Sequence, residues 1–415
     1  MSSEGKSSAD MADGVALVPR LRFPEFQTED GWKEVYLQKL AQPVADRATI
    51  GDTDKVLSLS GEYGLVLQSQ YFGKKIAGDS TDRYLKIRKD DFVYNDRTTK
   101  ASSFGTIKRL STYQGGIVSP IYKCFRFRPN ENPVFWEWYF ESGSHDPALG
   151  RLVNEGARAG RFNISVTQFL STTVWRPNEA EQRKIVGCLD STGALIVAQE
   201  RKVEALRAHK KGLMQQLFPQ EGETQPRLRF PGFGEAGGWN EATLEAACAM
   251  RAGKFVAASE IQERRAEGLF PCYGGNGLRG YTTSFTHSGR YSLIGRQGAL
   301  CGNVQFVSGK FHATEHAVVA TPRKGISVSW LFYLLDHLNL NRLATGQAQP
   351  GLSVDVLKKV KTSIPQDESE QQRVADCLAS LDDFIAAETH KLDTIKAHKK
   401  GLMQQLFPQV EGGDA

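Results

Sequence analysis

Apolar residues recur in threes, fours and sevens along two long stretches of the chain. In the first they are Ile185, Leu189, Ile196, Val203, Leu206, Leu213 and Leu217, with Thr192, Gln199 and Lys210 in the gaps. In the second they are Val374, Leu378, Leu381, Ile385, Leu392, Ile395, Leu402 and Leu406. This is the a/d stripe of a long helix that must bury one seam. Pro177 and Pro365 precede the stripes, and Pro219 and Pro408 follow them, where a helix starts and stops. Each helix is predicted to hold roughly 38 residues, on the order of 55 Å. Gly193, Gly212 and Gly401 lower helix propensity and allow local bending. One such helix cannot bury its stripe alone. The two are expected to pair antiparallel within the chain; a plain dimerisation coiled coil is the simpler alternative.

The second stretch copies the first. Asn178 to Gln220 and Asp367 to Gln409 agree at about half their positions, and the phrase AHKKGLMQQLFPQ recurs unchanged. A second phrase also repeats: RLRFPEF from Arg20, followed by Gly31-Trp32, and RLRFPGF from Arg227, followed by Gly238-Trp239. Repeats set the architecture. The expected segments are a disordered lead-in over 1–19, a globular domain over 20–177 and a conserved helix over 178–226. A second globular domain follows over 227–366, then a second helix with a C-terminal tail over 367–415. Packing constrains only every third or fourth residue. Yet Lys210, Lys211, Gln215 and Gln216, read as outward, are matched by Lys399, Lys400, Gln404 and Gln405. A shared external partner, docking once on each copy, is the expected reason.

Between the repeats the pattern changes to short β-type runs broken by turn residues. The first region has YLKIRKDDFVYN, GTIKRL and IYKCFRFRPN; the second has YSLIGRQGAL, NVQFVSGKF and HAVVATP. VFWEWYFESG and SWLFYLLDHL read as buried helices. The fold class is α+β: two globular domains of mostly antiparallel strands with helices, on two long conserved helices that pair as an antiparallel coiled coil.

Loops carry the candidate binding chemistry. In the first region Asn95, Arg97, Lys100, Ser102 and Ser103 lie on one loop, and Arg158, Arg161 and Asn163 follow later. In the second region they are Tyr273, Asn276, Arg279, Arg296, Gln297, Gln347, Gln349 and Ser353. Arg bonds a guanine edge twice, and Asn or Gln an adenine edge. Lys, Ser and glycine-flanked amides suit phosphates. A Gly/Asn turn alone is usually only a turn; several in both halves make the case.

The chain has 415 residues, 40% hydrophobic and 24% charged, with a net charge of +5. These values describe a globular protein of more than one domain. The mild basicity permits nucleic-acid binding without requiring it. The polar, Ser-rich start is not a signal peptide, and no apolar run reaches membrane length, so a cytoplasmic location is expected. Cys124, Cys188, Cys248, Cys272, Cys301 and Cys377 form no CxxC pair and read as reduced packing residues. Cys188 and Cys377 share one repeat position. No GxxxxGK[ST], strand-linked GxGxxG or HExxH occurs, nor an Asp/Asn-Pro-Pro-aromatic methyltransferase motif. His312 and His316 have metal-like spacing in a strand context without a third ligand, so no metal is expected. Asp382-Asp383 reads as a solvated helix face. No catalytic residue is assigned.

RLRFPEF…GW, NISVTQFLSTTVWRPNEAEQRKI, TGQAQPGLSVDVLKKVKTSIPQDESEQQRV and the two HKKGLMQQLF endings together resemble the specificity subunit of type I restriction–modification systems. The resemblance runs from about Arg20 to Gln409. It implies two target recognition domains on a helical spacer, each reading one half of a bipartite double-stranded DNA site, with half-sites roughly one helical turn apart or slightly more. It implies two modification subunits, adenine-N6 methyltransferases using S-adenosylmethionine. It also implies two ATP- and Mg-dependent restriction subunits. This chain itself would be a targeting subunit without a cofactor. Two alternatives stay open: the specificity subunit of a system that cuts on both sides of its site, and a coiled-coil scaffold with no DNA role.

Overall fold

The computed structural model describes residues 16–49, 52, 55–73, 81–98, 102–152, 163–235, 237–298, 300–346 and 350–409. The chain folds as two compact units. The first takes the residues up to Ala198 together with those from Leu392; the second takes Gln199 to Lys391.

In the first unit the strands are β1 (Lys33–Tyr36), β2 (Ala41–Pro43), β3 (Val56–Ser60), β4 (Gly64–Leu67), β5 (Leu85–Arg88), β6 (Phe92–Asn95), β7 (Thr106–Arg109), β8 (Gly115–Val118), β9 (Lys123–Phe127) and β10 (Thr173–Arg176). The helices are α1 (Leu37–Leu40), α2 (Gln68–Phe72), α3 (Pro133–Glu141), α4 (Asp146–Gly150), α5 (Val166–Leu170) and the long α6 (Glu179–Leu217), which runs on into the second unit. The sheets run β2-β9-β6-β7 and β4-β3-β8-β5, with β1 paired to β10. Every pairing is antiparallel except β3 with β8.

Alternation along β6 explains its place. Phe92 and Tyr94 face an aromatic core with Phe125, Phe135, Trp136, Tyr139, Phe140 and Phe169. Val93 faces an aliphatic core with Leu57, Ile87 and Cys124. A strand covered on both faces carries apolar residues at every position. Asn132 starts α3, accepting from the Val134 and Phe135 amides, with Pro133 at the first helical position. YLKIRKDDFVYN is not one strand. It is β5 and β6, in different sheets, because Asp90 takes a left-handed φ of 72° and turns the chain. The disordered lead-in expected over 1–19 does not hold for 16–19: Leu17 exchanges backbone bonds with Trp32 at 3.2 and 2.8 Å.

In the second unit the strands are β11 (Asn240–Thr243), β12 (Cys248–Ala252), β13 (Phe270–Gly274), β14 (Gly277–Thr282), β15 (His287–Gly295), β16 (Val304–Ala313), β17 (Ala317–Pro322) and β18 (Lys361–Ile364). The helices are α7 (Leu244–Ala247), α8 (Val328–His337), α9 (Val354–Lys358) and the long α10 (Glu368–Leu406). The main sheet runs β12-β17-β15-β16-β13-β14, with β11 paired to β18. The pairing of β13 with β16 is parallel.

The two long helices have 39 residues each, roughly 58 Å. Asn178 caps α6 through the Glu181 amide at 2.8 Å, and Asp367 caps α10 through the Ser369 amide at 2.8 Å. The predicted stripes are the packed seam. In the first unit Ile185 and Leu189 share a core with Leu406 and Phe407. In the second, Met214, Leu217 and Phe218 share one with Val374 and Leu378. Each helix therefore ends in the core of the unit opposite to the one in which it begins.

Candidate nucleic-acid interface

The repeated opening phrase has a physical purpose. In the first unit Arg22 forks onto Glu181, in the first turn of α6, with Nε donating to Oε1 at 2.9 Å and Nη2 to Oε2 at 2.8 Å. The Trp32 indole donates to the same Oε1 at 3.1 Å. In the second unit Arg229 forks onto Glu370 at 2.8 and 2.8 Å, and Trp239 donates at 3.2 Å. Both glutamates are buried, so each charge is held by a bidentate partner rather than water. The glutamate raises the pKa of each arginine, chiefly through this hydrogen bond. The next residue back reaches the other helix: the Leu21 amide donates to Gln405 O at 3.0 Å, and the Leu228 amide to Gln216 O at 2.9 Å. Within each unit the phrase straps a helix beginning to a helix end.

In the second unit the main sheet curls until the ends of its strands converge. The Gly253 amide bonds Ala317 O at 2.9 Å, the Thr314 amide bonds Tyr273 O at 2.8 Å, and the Arg296 amide bonds His316 O at 3.0 Å. The Leu352 amide then bonds Arg296 O at 2.9 Å. Gly275 and Gly295 are needed for this closure: a Cβ on Gly295 would stand 2.0 Å from Gly275 O. The convergence gathers Tyr273, Asn276, Arg296 and Gln297. Asn276 and Gln297 are exposed, Arg296 half-buried. Among the described residues no hydrogen bond or ion pair engages the Arg296 guanidinium. Arg279 stands exposed on β14, its stem beside Gly274. The Tyr273 ring packs edge-on against Phe311. The Ser353 hydroxyl already caps α9, accepting from the Val356 amide at 3.2 Å. Gln347 and Gln349 lie outside the described residues; Thr345 and Gly351 pair with each other.

In the first unit Asn95 is not on the loop but ends β6, paired with Thr106, and Arg97, Ser102 and Ser103 follow it before β7. Asn95 accepts from the Arg97 amide at 3.3 Å, leaving the Arg97 side chain in solvent. Ser102 donates to Gly105 O. Gly105 has φ +85°, and a Cβ there would stand 2.3 Å from Asn95 O, so the loop closes only on glycine. Basic residues on the neighbouring strands are neutralised: Lys123 pairs with Asp96, Arg126 with Asp91, and Arg109 with Asp90 and Glu137. Asn163 is exposed at a left-handed φ of 56° on a separate segment, before α5. Lys100, Arg158 and Arg161 lie outside the described residues.

The candidate docking residues divide. Lys210 is not outward: its ammonium bonds both Asp382 oxygens, at 2.6 and 2.8 Å, and lies over the Tyr333 ring. Tyr333 donates to Asp382 at 2.8 Å, so Asp382 is no solvated face either. Lys399 sits 4.2 Å over the Trp138 ring. Lys211, Gln215, Gln216, Lys400, Gln404 and Gln405 are exposed. In the second unit Lys211 and Gln215 border a groove of about 1330 Å³, lined also by Met214, Phe218, His337 and Arg342. The buried Leu217, Phe218, Leu406 and Phe407 explain the Leu-Phe pair of the unchanged phrase as packing.

His312 is held by Ser284 and by the Lys254 carbonyl, and among the described residues no cluster of three metal-type ligands occurs. All six cysteines are free. Burial pushes the Cys248 thiol up to about 12 and also raises Cys124 and Cys272, which marks these as packing residues. Among the described residues no helix is long and apolar enough to cross a membrane.

The fold is a duplicated frame, with one Arg–Glu–Trp lock in each unit. Residues 237–397 match the family described as type I restriction modification DNA specificity domain. The type I restriction enzyme EcoprrI specificity subunit of Escherichia coli is 45% identical over 154 residues, 37% of this chain and 35% of that protein. The type I restriction enzyme MjaVIII specificity subunit of Methanocaldococcus jannaschii is 26% identical over 256 residues, 56% of this chain and 60% of that one. The matches thus cover about a third to three fifths of these relatives' length. Among solved structures, the type I restriction–modification S subunit from M. genitalium superposes with a TM-score of 0.56 at 15% identity, over 95% of this chain and 100% of that one. A chain from a study of complex assembly and conformational transition of the type I R-M system gives 0.59 at 17%, over 91% and 98%. At these identities the likeness speaks for the fold. Residues 237–397 are thus similar to the DNA specificity domain of type I restriction–modification specificity subunits.

Proposed function

We propose that this chain is the non-catalytic targeting subunit of a type I restriction–modification complex, each unit reading one half of a bipartite double-stranded DNA site. One observation carries the reading. The same Arg–Glu–Trp lock is built twice, while the regions between the repeats differ in sequence. A duplicated frame with divergent loops suits two readers of different half-sites. Arg97 in the first unit and Asn276, Arg279, Arg296 and Gln297 in the second carry the side-chain types that bond base edges. Lys100, Arg158, Arg161, Gln347 and Gln349 add the same side-chain types in sequence.

The exposed Lys211, Gln215, Gln216, Lys400, Gln404 and Gln405 give one identical surface on each helix end, suited to one modification subunit apiece. Methyl transfer with S-adenosylmethionine would belong to those subunits, and ATP- and Mg-dependent cleavage to two restriction subunits. The complex would work in the cytoplasm, where its DNA is. Binding should weaken steeply with salt, as phosphate contacts do.

The test is a genome-wide map of N6-methyladenine in cells with and without the gene, supplied with its methyltransferase partner. A two-part motif of fixed gap, lost on deletion, is the expected result. Unchanged methylation together with no DNA preference by the purified complex would overturn the reading.

A further inference from the structure

Phe255 is 75% exposed, the most solvent-facing of the large apolar side chains described in this chain. A single exposed apolar residue is ordinary on a surface, so its setting decides the matter. The Lys254 amide donates to Ala313 O at 2.8 Å, and the Lys254 carbonyl accepts from the His312 ring at 3.1 Å. Gly253 donates to Ala317 O, and a Cβ at Gly253 would stand 2.2 Å from Ala313 O. Val256, the next residue, is 5% exposed and anchors the far side. The turn is tied on both flanks, and the ring between the ties projects into water.

The turn also has a meaningful neighbour. Ala313 and Ala317 bound the short link through His316, and the His316 carbonyl holds the Arg296 amide. Phe255 therefore stands at the same curled end of the sheet as Asn276, Arg296 and Gln297. Beside it the Lys254 ammonium is exposed, with no partner among the described residues. Glu315, the acid of this link, has Oε1 at 3.2 Å from His316 Nε2 and its Oε2 buried. A rigid apolar ring beside an uncommitted cation and base-reading side chains is the equipment of a nucleic-acid contact, since rings pack on bases or thymine methyls and ammonium groups meet phosphates.

We infer that Phe255 packs its ring against the bases of the half-site read by the second unit, and that Lys254 meets the adjacent backbone phosphate. This rests on the DNA-reading function proposed above. It also gives His312 a purpose: the ring holds the Lys254 carbonyl and so fixes the tip.

The test uses the full chain assembled with its methyltransferase partner and two duplexes, one with the mapped site and one with its second half-site scrambled. Phe255→Ala should weaken binding to the true site about tenfold or more, and binding to the scrambled duplex less than about twofold. Phe255→Leu should fall between. Lys254→Ala should weaken both duplexes alike and reduce the salt slope by about one. Because the Phe255 ring is mostly in solvent, the melting temperature of Phe255→Ala should match the parent. If the parent complex prefers the true site and Phe255→Ala keeps that preference within about twofold, this inference fails while the DNA-reading function stands. If Phe255→Ala instead loses only assembly with the methyltransferase, the ring is a protein contact and the inference is overturned. If the parent prefers neither duplex, the DNA-reading function itself fails and takes this inference with it.

Discussion

Gln199 and Glu388 hold the same position in the two repeats, 189 residues apart, and they bond to each other. The Gln199 amide donates to the Glu388 carboxylate at 2.6 Å and to its backbone carbonyl at 2.9 Å. Two copies of one sequence running antiparallel have a level at which a residue meets its own counterpart. Identical glutamates there would oppose two carboxylates at a buried level. With Gln in one copy the two side chains form a hydrogen bond instead, and Lys202 adds an ion pair to Glu388 at 2.7 Å.

A pH dependence follows from this contact. The Gln199 bond, then Lys202, holds the Glu388 carboxyl below its ordinary value of 4.5. A depressed folded-state pKa stabilises above the unfolded value and loses that contribution as pH falls through the folded one. Thermal melting should therefore drop below about pH 4.5 in the parent, and less so in Glu388→Gln. Gln199→Glu should reverse the sign, with mild acid stabilising the variant. Identical acid limbs in parent and Glu388→Gln would refute the link.

The Arg–Glu–Trp lock should be costly to break. Arg22 and Glu181 side chains are 5% and 1% exposed. Removing one partner of a buried pair costs about 3–5 kcal/mol, so Arg22→Ala should lower urea stability by that order, read through tryptophan fluorescence. Arg22→Ala with Glu181→Ala should lose less than the two single changes added together, because neither charge is then stranded. A cost near zero for Arg22→Ala would show that the strap does not hold the unit.

Gly193 is the repeat counterpart of Asp382, and the repeat counterpart of Lys210 is Lys399. A Cβ on Gly193 would stand 3.3 Å from the Lys399 ammonium. Gly193→Asp should build in the first unit the ion pair that the second already has. A gain of about 0.5–1 kcal/mol is expected from helix propensity and a partly exposed pair. A lower melting temperature would show that Lys399 cannot leave the Trp138 ring.

Arg296 offers a half-site test. Arg296→Ala should cost about 1–3 kcal/mol at one base pair and relax methylation at the second half-site alone. Methylation continuing at unchanged sites would remove Arg296 from the reading set.

The exposed glutamines test docking. Gln404→Glu with Gln405→Glu should weaken methyltransferase assembly while both units stay folded, since neither side chain is buried. Native mass spectrometry giving the parent complex mass would dismiss these two residues as a docking surface.

The sequence by itself determined what periodicity and repetition encode. The stripes located both long helices, because burial of one seam demands a fixed spacing. The proline pairs marked their ends, and β-type runs between turn residues located the strands β5, β6, β7, β9, β15, β16 and β17. The twice-written phrases announced a duplication, and Gly-rich loops pointed to candidate readers. Other features depended on which distant segments meet. Glu181 and Glu370 looked like ordinary first-turn acids, though their identity in both repeats was a usable signal. Their arginines lie 159 and 141 residues away, and no local pattern names such a partner. Lys210 and Asp382 read as solvated until packing brought Tyr333 between them. YLKIRKDDFVYN read as continuous until the backbone turned at Asp90. Tertiary structure alone decided that the sheet curls, that segments distant in sequence share one end of it, and that Phe255 is pinned outward there. Local sequence sets the period of burial; only the closed fold sets which buried and unburied groups become neighbours.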